Sequence, residues 1–356
     1  MRSPRLTARY PGSGGRLRRD PEDFEVEERL PYAAEGRGDH LFVLIEKRGL
    51  NTSAAALQVA EHLGIIQPGE RLPPEAGWAG MKDRHAVARQ WLSFPWREAN
   101  PLPEPTTLSL EAGSVGVLAA HRHRHKLRKG HVQANRFRIR IRDVPPGGTE
   151  RARAALARLR VTGMPNPFGP QRFGREGDNA DRARAILAGK ARRPRDRRLW
   201  SLLCSALQSE VFNRILAFRI ESGLLTTAIR GDRMVKHVSG GQFAVDDPSV
   251  EQPRVDALEI SPTGGLPGKR TPAVSELAAE IEAQARAEAQ IDPALEARLG
   301  TGARRPLRLP LSPETEIRPL GDEAWELHVE LPSGVYATAL LDELVKPEGE
   351  VFDRSD

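Results

Sequence analysis

The pattern of apolar and polar positions changes texture along this 356-residue chain. The first part is strand-like. Phe24, Val26 and Glu28 alternate with Glu25 and Glu27, and His40 to Ile45 is a compact apolar run, so both segments predict strands. Residues 52–63 predict a helix that Asn51 or Thr52 can cap and Gly64 can stop. Two apolar stretches, 78–81 and 91–94, flank the polar segment KDRHAVARQ, residues 82–90, which belongs at a strand end or on a loop. Four prolines in 95–107 predict a linker or long loop. The clearest strand is RFRIRIR, residues 136–142. It turns Phe137, Ile139 and Ile141 one way and Arg136, Arg138, Arg140 and Arg142 the other. Residues 150–159 predict a helix after it.

The middle of the chain reads differently. Residues 165–178 are rich in Gly and Pro, 198–221 predict a long amphipathic helix, and 246–273 are again Gly- and Pro-rich. Residues 274–299 are Ala/Glu-rich and helical, and strand character returns at 325–331 before a tight turn at 332–334. The pattern predicts a mostly helical domain inserted into a sheet-based one. The first 22 residues, rich in Gly, Arg and Pro, predict little order.

Composition narrows the chemistry. Cys204 is the only cysteine, which excludes an intrachain disulfide and any cysteine-based zinc site. The amino terminus lacks the apolar core of a signal peptide, and no apolar run is long enough to span a membrane. A soluble, cytoplasmic protein is expected. The net charge of +6 favours a polyanionic partner, and the charge is not evenly spread. From His121 to Arg142 there are nine Lys/Arg and four His with no Asp or Glu, a run suited to a phosphate backbone, the alternative being a solvated strand face. His121, His123 and His125 alternate, yet no carboxylate or cysteine is interleaved to complete a metal site, so no metal is expected.

The segment Gly80–Met81–Lys82–Asp83–Arg84–His85–Ala86, ending in Arg89–Gln90–Trp91, resembles the GxKDxxA…Q signature of the TruD family of tRNA pseudouridine synthases. Further matches keep the family's order. They are EDFEVEE (22–28), IEKRGLNT (45–52), the HxxKLRxG residues His123, Lys126, Leu127, Arg128 and Gly130, and the NxFxxxxR residues Asn135, Phe137 and Arg142. PNPFGPQRFG (165–174) is similar to PNYFGxQRFG, and LPSGVYAT (331–338) to LPxGxxAT. Pro167 replaces a usual Tyr, Ala134 a usual Gly, and Tyr336 stands where Phe is common.

The resemblance implies an α+β fold, with a pseudouridine-synthase catalytic domain of mixed, largely antiparallel sheet and flanking helices. The catalytic domain would comprise residues 1–162 and 310–356, interrupted by a mostly helical TRUD domain at 163–309. The implied substrate is uridine 13 of tRNA, flipped out of its stack, with Asp83 as the catalytic carboxylate. Phe24, Phe137 and Tyr336 would hold the detached base, and Asn135 would hydrogen-bond it. By pattern alone Phe24 and Phe137 are core residues. Lys82 and Arg84 would either favour ionised Asp83 or position phosphate. His123, Lys126, Arg128, Arg142, Gln171, Arg172 and Arg305 are the other expected RNA contacts. The reaction is an isomerisation and implies no cofactor. The implied partner is tRNA, bound by a monomer without a membrane. Two rival readings use the same residues. One is a non-catalytic tRNA-binding protein or chaperone with Asp83 as a turn residue. The other is a metal-dependent RNA hydrolase built on the histidines.

Overall fold

The computed structural model describes residues 4–97 and 99–346. The chain opens with strands β1 (Arg16–Leu17), β2 (Phe24–Arg29) and β3 (His40–Arg48), helix α1 (Thr52–His62), then β4 (Gly77–Trp78) and β5 (Val87–Pro95). Strands β6 (Thr106–Leu110), β7 (Gly113–His123) and β8 (Ala134–Arg142) follow. The middle holds α2 (Gly148–Thr162), β9 (Met164–Pro165), α3 (Asn179–Leu187), α4 (Arg197–Glu221), β10 (Arg233–Lys236) and β11 (Gln242–Ala244). It continues through α5 (Pro248–Asp256), β12 (Ile260–Leu266), α6 (Glu276–Glu288), α7 (Pro293–Glu296), β13 (Ala303–Pro306) and β14 (Arg308–Leu309). Strands β15 (Glu316–Pro319) and β16 (Trp325–Pro332) and helix α8 (Ala337–Val345) complete it.

Two compact units divide these elements. Of the described residues, one contains 14–149 and 312–334, the other 4–13, 150–311 and 335–346. These contact boundaries differ from those expected at 162/163 and 309/310, because α2, α8 and the N-terminal residues pack with the middle of the chain. The N-terminal stretch is better fixed than its composition suggests. Arg5 pairs with Asp342 at 2.9 Å, and the Leu6 and Thr7 amides donate to the Glu343 carboxylate at 2.9 and 2.8 Å.

In the first unit ten strands form one sheet, ordered β15-β16-β8-β2-β5-β3-β7-β6, with β1 on β8 and β4 on β5. The β2–β5 pair is parallel and the other ladders are antiparallel, the mixed sheet of an α+β fold. Helix α1 starts where Asn51 Oδ1 accepts the Ala54 amide at 2.8 Å. Its small residues Ala55, Ala56 and Ala60, with Val59, lie close on Leu41, Val43, Ile45, Leu92 and Phe94.

In the second unit α4 is the central element. Leu203, Ala206, Leu207, Val211, Phe212, Ile215 and Leu216 recur at helical spacing and pack with Ala183 and Ile186 of α3 and Ala278, Ile281 and Ala285 of α6. A four-stranded antiparallel sheet, β11-β10-β12-β13, accompanies the helices. Strand β12, ISPTGGL, falls in a stretch that reads as irregular. Its glycines are there for packing: a Cβ on Gly264 would meet Leu307 Cδ2 and Phe212 Cδ2, each at 2.9 Å.

Candidate active site

Asp83 sits on the loop before β5, half-buried at 21% side-chain exposure. Several residues fix this loop. The Lys47 ammonium, fully buried, donates to the backbone carbonyls of Leu50 at 2.8 Å and Asp83 at 2.6 Å. The Lys82 amide donates to Thr52 Oγ1 at 2.9 Å, and that hydroxyl donates to Gln90 Oε1 at 3.0 Å. Arg18 Nη2 reaches Asp83 Oδ2 at 2.8 Å, and the His85 amide donates to Oδ1 at 3.0 Å. Burial pushes the Asp83 carboxyl up, but the Arg18 charge, the His85 N–H and the Arg18 hydrogen bond together hold it below its ordinary value. Burial pushes Lys47 down to about 8, against the attraction of Asp83.

The expected base-holding residues of this unit share one face of the sheet. Arg18 Cζ lies 4.7 Å from the Phe24 ring centroid, so one guanidinium touches both Asp83 and an aromatic face. Phe24 and Phe137 meet edge to face at 5.9 Å, and both are buried. Asn135 stands opposite Glu28 in the β2–β8 register. Its Oδ1 is buried and accepts no hydrogen bond among the described residues. Glu28 is buried too and takes Lys82 Nζ at 2.5 Å and the Trp91 amide at 3.1 Å. Lys82 therefore pairs with Glu28.

The basic ribbon divides in a way the local sequence conceals. The four arginines of β8 face acids on the neighbouring strands or in the turn just before β2. Arg138 lies opposite Glu25 and pairs with it, Arg140 opposite Glu326 at 3.2 Å, and Arg136 opposite Glu330 at 3.5 Å. Arg142 binds buried Asp23 through Nε at 2.9 and 3.0 Å and through Nη2 at 2.8 Å. The one-sign strand face of the sequence is thus a balanced ladder. His123 is buried, its ring stacked on Tyr32 at 5.4 Å and 4.4 Å from Phe42, and burial lowers its pKa. Among the described residues no three of His, Cys, Asp or Glu come together in a way that could hold a metal ion. Lys126 Nζ donates to the Pro74 carbonyl at 2.5 Å. Arg84 and Arg128 are exposed and form no ion pair among the described residues.

Tyr336, Gln171, Arg172 and Arg305 belong to the second unit. There the Tyr336 ring packs on Phe168 at 6.3 Å, and Gln171 is exposed.

A family model for tRNA pseudouridine synthase D (TruD) matches residues 3–193 and 188–344. The chain belongs to the TruD family. One relative, tRNA pseudouridine synthase D of Anaeromyxobacter sp. (strain Fw109-5), is 44% identical over 362 residues, covering 98% of this chain and 97% of its own. A tRNA pseudouridine synthase D of Thermus thermophilus is 41% identical, covering 98% and 93%. The crystal structure of a Methanosarcina mazei protein described as TruD superposes with a TM-score of 0.73 at 22% identity, covering 96% of this chain and 95% of that one. That likeness shows the fold.

For this TruD chain the sequence reading missed Arg18, Lys47 and Thr52. Arg18 has no local marker. It stands in the stretch GGRLRRD with φ at 62°, and only folding turns it onto Asp83. Lys47 could have been found. It is in phase with the buried positions Val43 and Ile45, which makes it a lysine on the core side of a strand. Among the described residues no helix is long and apolar enough to cross a membrane.

Proposed function

We propose that this protein is a tRNA pseudouridine synthase that isomerises uridine 13, with Asp83 as the catalytic carboxylate. It acts as a monomer and needs no cofactor. The observation that carries the reading is a half-buried carboxylate, set in the segment that matches the family and held ionised by Arg18 and the His85 amide.

The reaction breaks the N1–C1′ bond, turns the uracil and rejoins it through C5, which loses its proton while the freed N1 takes one up. The carboxylate can attack C1′, stabilise positive charge there, or remove the C2′ proton, and each route needs it unprotonated. Arg18 supports that state. The freed uracil needs a holder that tolerates rotation, and aromatic faces do this at roughly 1–3 kcal/mol per base. Phe24 and Phe137 take that role, and the unsatisfied Asn135 Oδ1 receives the uracil N3–H. Flipping the uridine costs a few kcal/mol, least where it is already unpaired.

The test is incubation with unmodified tRNA in EDTA. Pseudouridine at position 13 without strand loss is the expected result. Binding alone would leave a chaperone, and cleavage restored by metal a hydrolase. Asp83→Asn should slow the reaction roughly 10⁴-fold or more with tRNA affinity retained, whereas a loss under about tenfold removes Asp83 from its role.

A further inference from the structure

The second unit contains a cavity of about 370 Å³ beside Phe168, bordered by Arg172, Ser205, Gln208 and Arg305. Two guanidinium groups share that one ring, with Arg172 Cζ at 5.2 Å and Arg305 Cζ at 4.4 Å from its centroid. A ring quadrupole attracts cations but does not neutralise them, so two like charges remain side by side. Burial brings the Arg305 guanidinium down to about 10, with Tyr336 raising it and Arg172 adding a smaller push down. Arg305 is held by Asn166, donating through Nε to its carbonyl at 3.3 Å and through Nη2 to its side-chain oxygen.

The donors left over define what the cavity takes. Gln208 Nε2 is spent on the Pro267 carbonyl at 2.8 Å. Arg172 forms no ion pair among the described residues, and its buried Nε has no hydrogen-bond partner among them. Its Nη1 donates to Ser205 Oγ at 3.0 Å, which leaves the serine hydroxyl proton free to point elsewhere. A guanidinium edge with an unused N–H, a hydroxyl donor and a second buried cation form a receptor for a compact anion with several oxygens.

We propose that this cavity is a phosphate-binding site that takes a backbone phosphate of the RNA substrate. This rests on the reading that the substrate is RNA. A phosphodiester presents two oxygens to the Arg172 edge and the Ser205 hydroxyl, and its charge offsets the repulsion between the two arginines.

The experiment measures tRNA affinity as a function of salt for the wild type, Arg172→Gln and Arg172→Lys, with thermal unfolding of each as a folding control. One phosphate fewer should reduce the log–log salt slope of Arg172→Gln by about 0.7–0.9, and affinity at low salt should fall about five- to tenfold. Arg172→Lys keeps the charge and should restore the slope. Ser205→Ala removes only a neutral donor and should weaken affinity about threefold with the slope unchanged, a second reading if Arg172→Gln does not fold. An unchanged slope and affinity in the folded variants overturns the proposal. A second arm titrates inorganic phosphate against the RNA-free protein. Arg172-dependent phosphate binding with no effect of the variants on tRNA would make this a free-anion site and also overturn it. Neither arm measures turnover. A slope change in a protein that makes no pseudouridine would therefore sink the proposed reaction and leave the phosphate site standing.

Discussion

At Asp83 two effects of opposite sign meet, and the nearer one wins. Burial favours the neutral acid, while Arg18 at 2.8 Å and the His85 amide favour the anion, so the carboxyl titrates below its ordinary value. For folding, the sign is that of a depressed acid. Its contribution is fully present above the unfolded value of about 3.9 and is lost as pH falls through the lower folded value. For catalysis, protonation of Asp83 should not limit the wild type anywhere above about pH 5. Arg18→Gln removes the opposing charge and leaves burial to dominate, so the acid limb of the single-turnover rate should move to higher pH. An acid limb in the same place for both proteins would show that Arg18 does not set the ionisation. The identity of the carboxylate was legible from its motif, but its partner was not. An arginine 65 positions away carries no mark of where its side chain will reach.

At the level of strands, β8 shows how a local window misleads. RFRIRIR reads as a basic face, and its alternation is borne out, with Phe137, Ile139 and Ile141 buried. The acids that balance it are 113 to 194 residues away and arrive only through strand pairing. Where both partners reach solvent, as in Arg136–Glu330, such a pair is worth about 0–1 kcal/mol and does more for charge balance than for stability. Two substitutions therefore separate paired from unpaired arginines. Arg138→Ala should leave the salt slope of tRNA binding unchanged, because its charge is matched by Glu25 in the free protein. Arg128→Glu should flatten the slope and weaken binding, because an exposed charge without an ion pair is one that phosphate can neutralise. Equal slopes for wild type and Arg128→Glu would show that this residue faces away from RNA. Strand β12 fails in the opposite direction. Glycines that look like breakers make room for Phe212, a packing demand set by a different element.

For the molecule as a whole, the second unit stakes stability on a buried ion pair. Arg219 at the end of α4 and Asp232 before β10 are paired at 2% and 1% side-chain exposure. Desolvating two charges offsets most of their attraction, so the pair itself adds little, whereas removing one partner strands the other. Asp232→Ala should cost about 3–5 kcal/mol in urea unfolding, and replacing both residues by apolar ones of similar volume should recover most of it. A loss under about 1 kcal/mol for the single substitution would mean that water reaches Arg219.

The sequence by itself determined the buried faces of β2 and β8, the helices α1, α2, α4 and α6, the α+β class and the family. These follow from periodicity and from motifs read along the chain, and each motif needs only residues close in sequence. Tertiary structure alone decided that Arg18 meets Asp83, that Lys82 turns to Glu28, and that Arg142 is bound to Asp23. It also decided that α2, α8 and the N-terminal residues pack with the middle of the chain. The physical reason is the same in each case. Coulomb energy and packing depend on distance in space, and a sheet whose strand order departs from chain order places side by side residues that no local pattern relates.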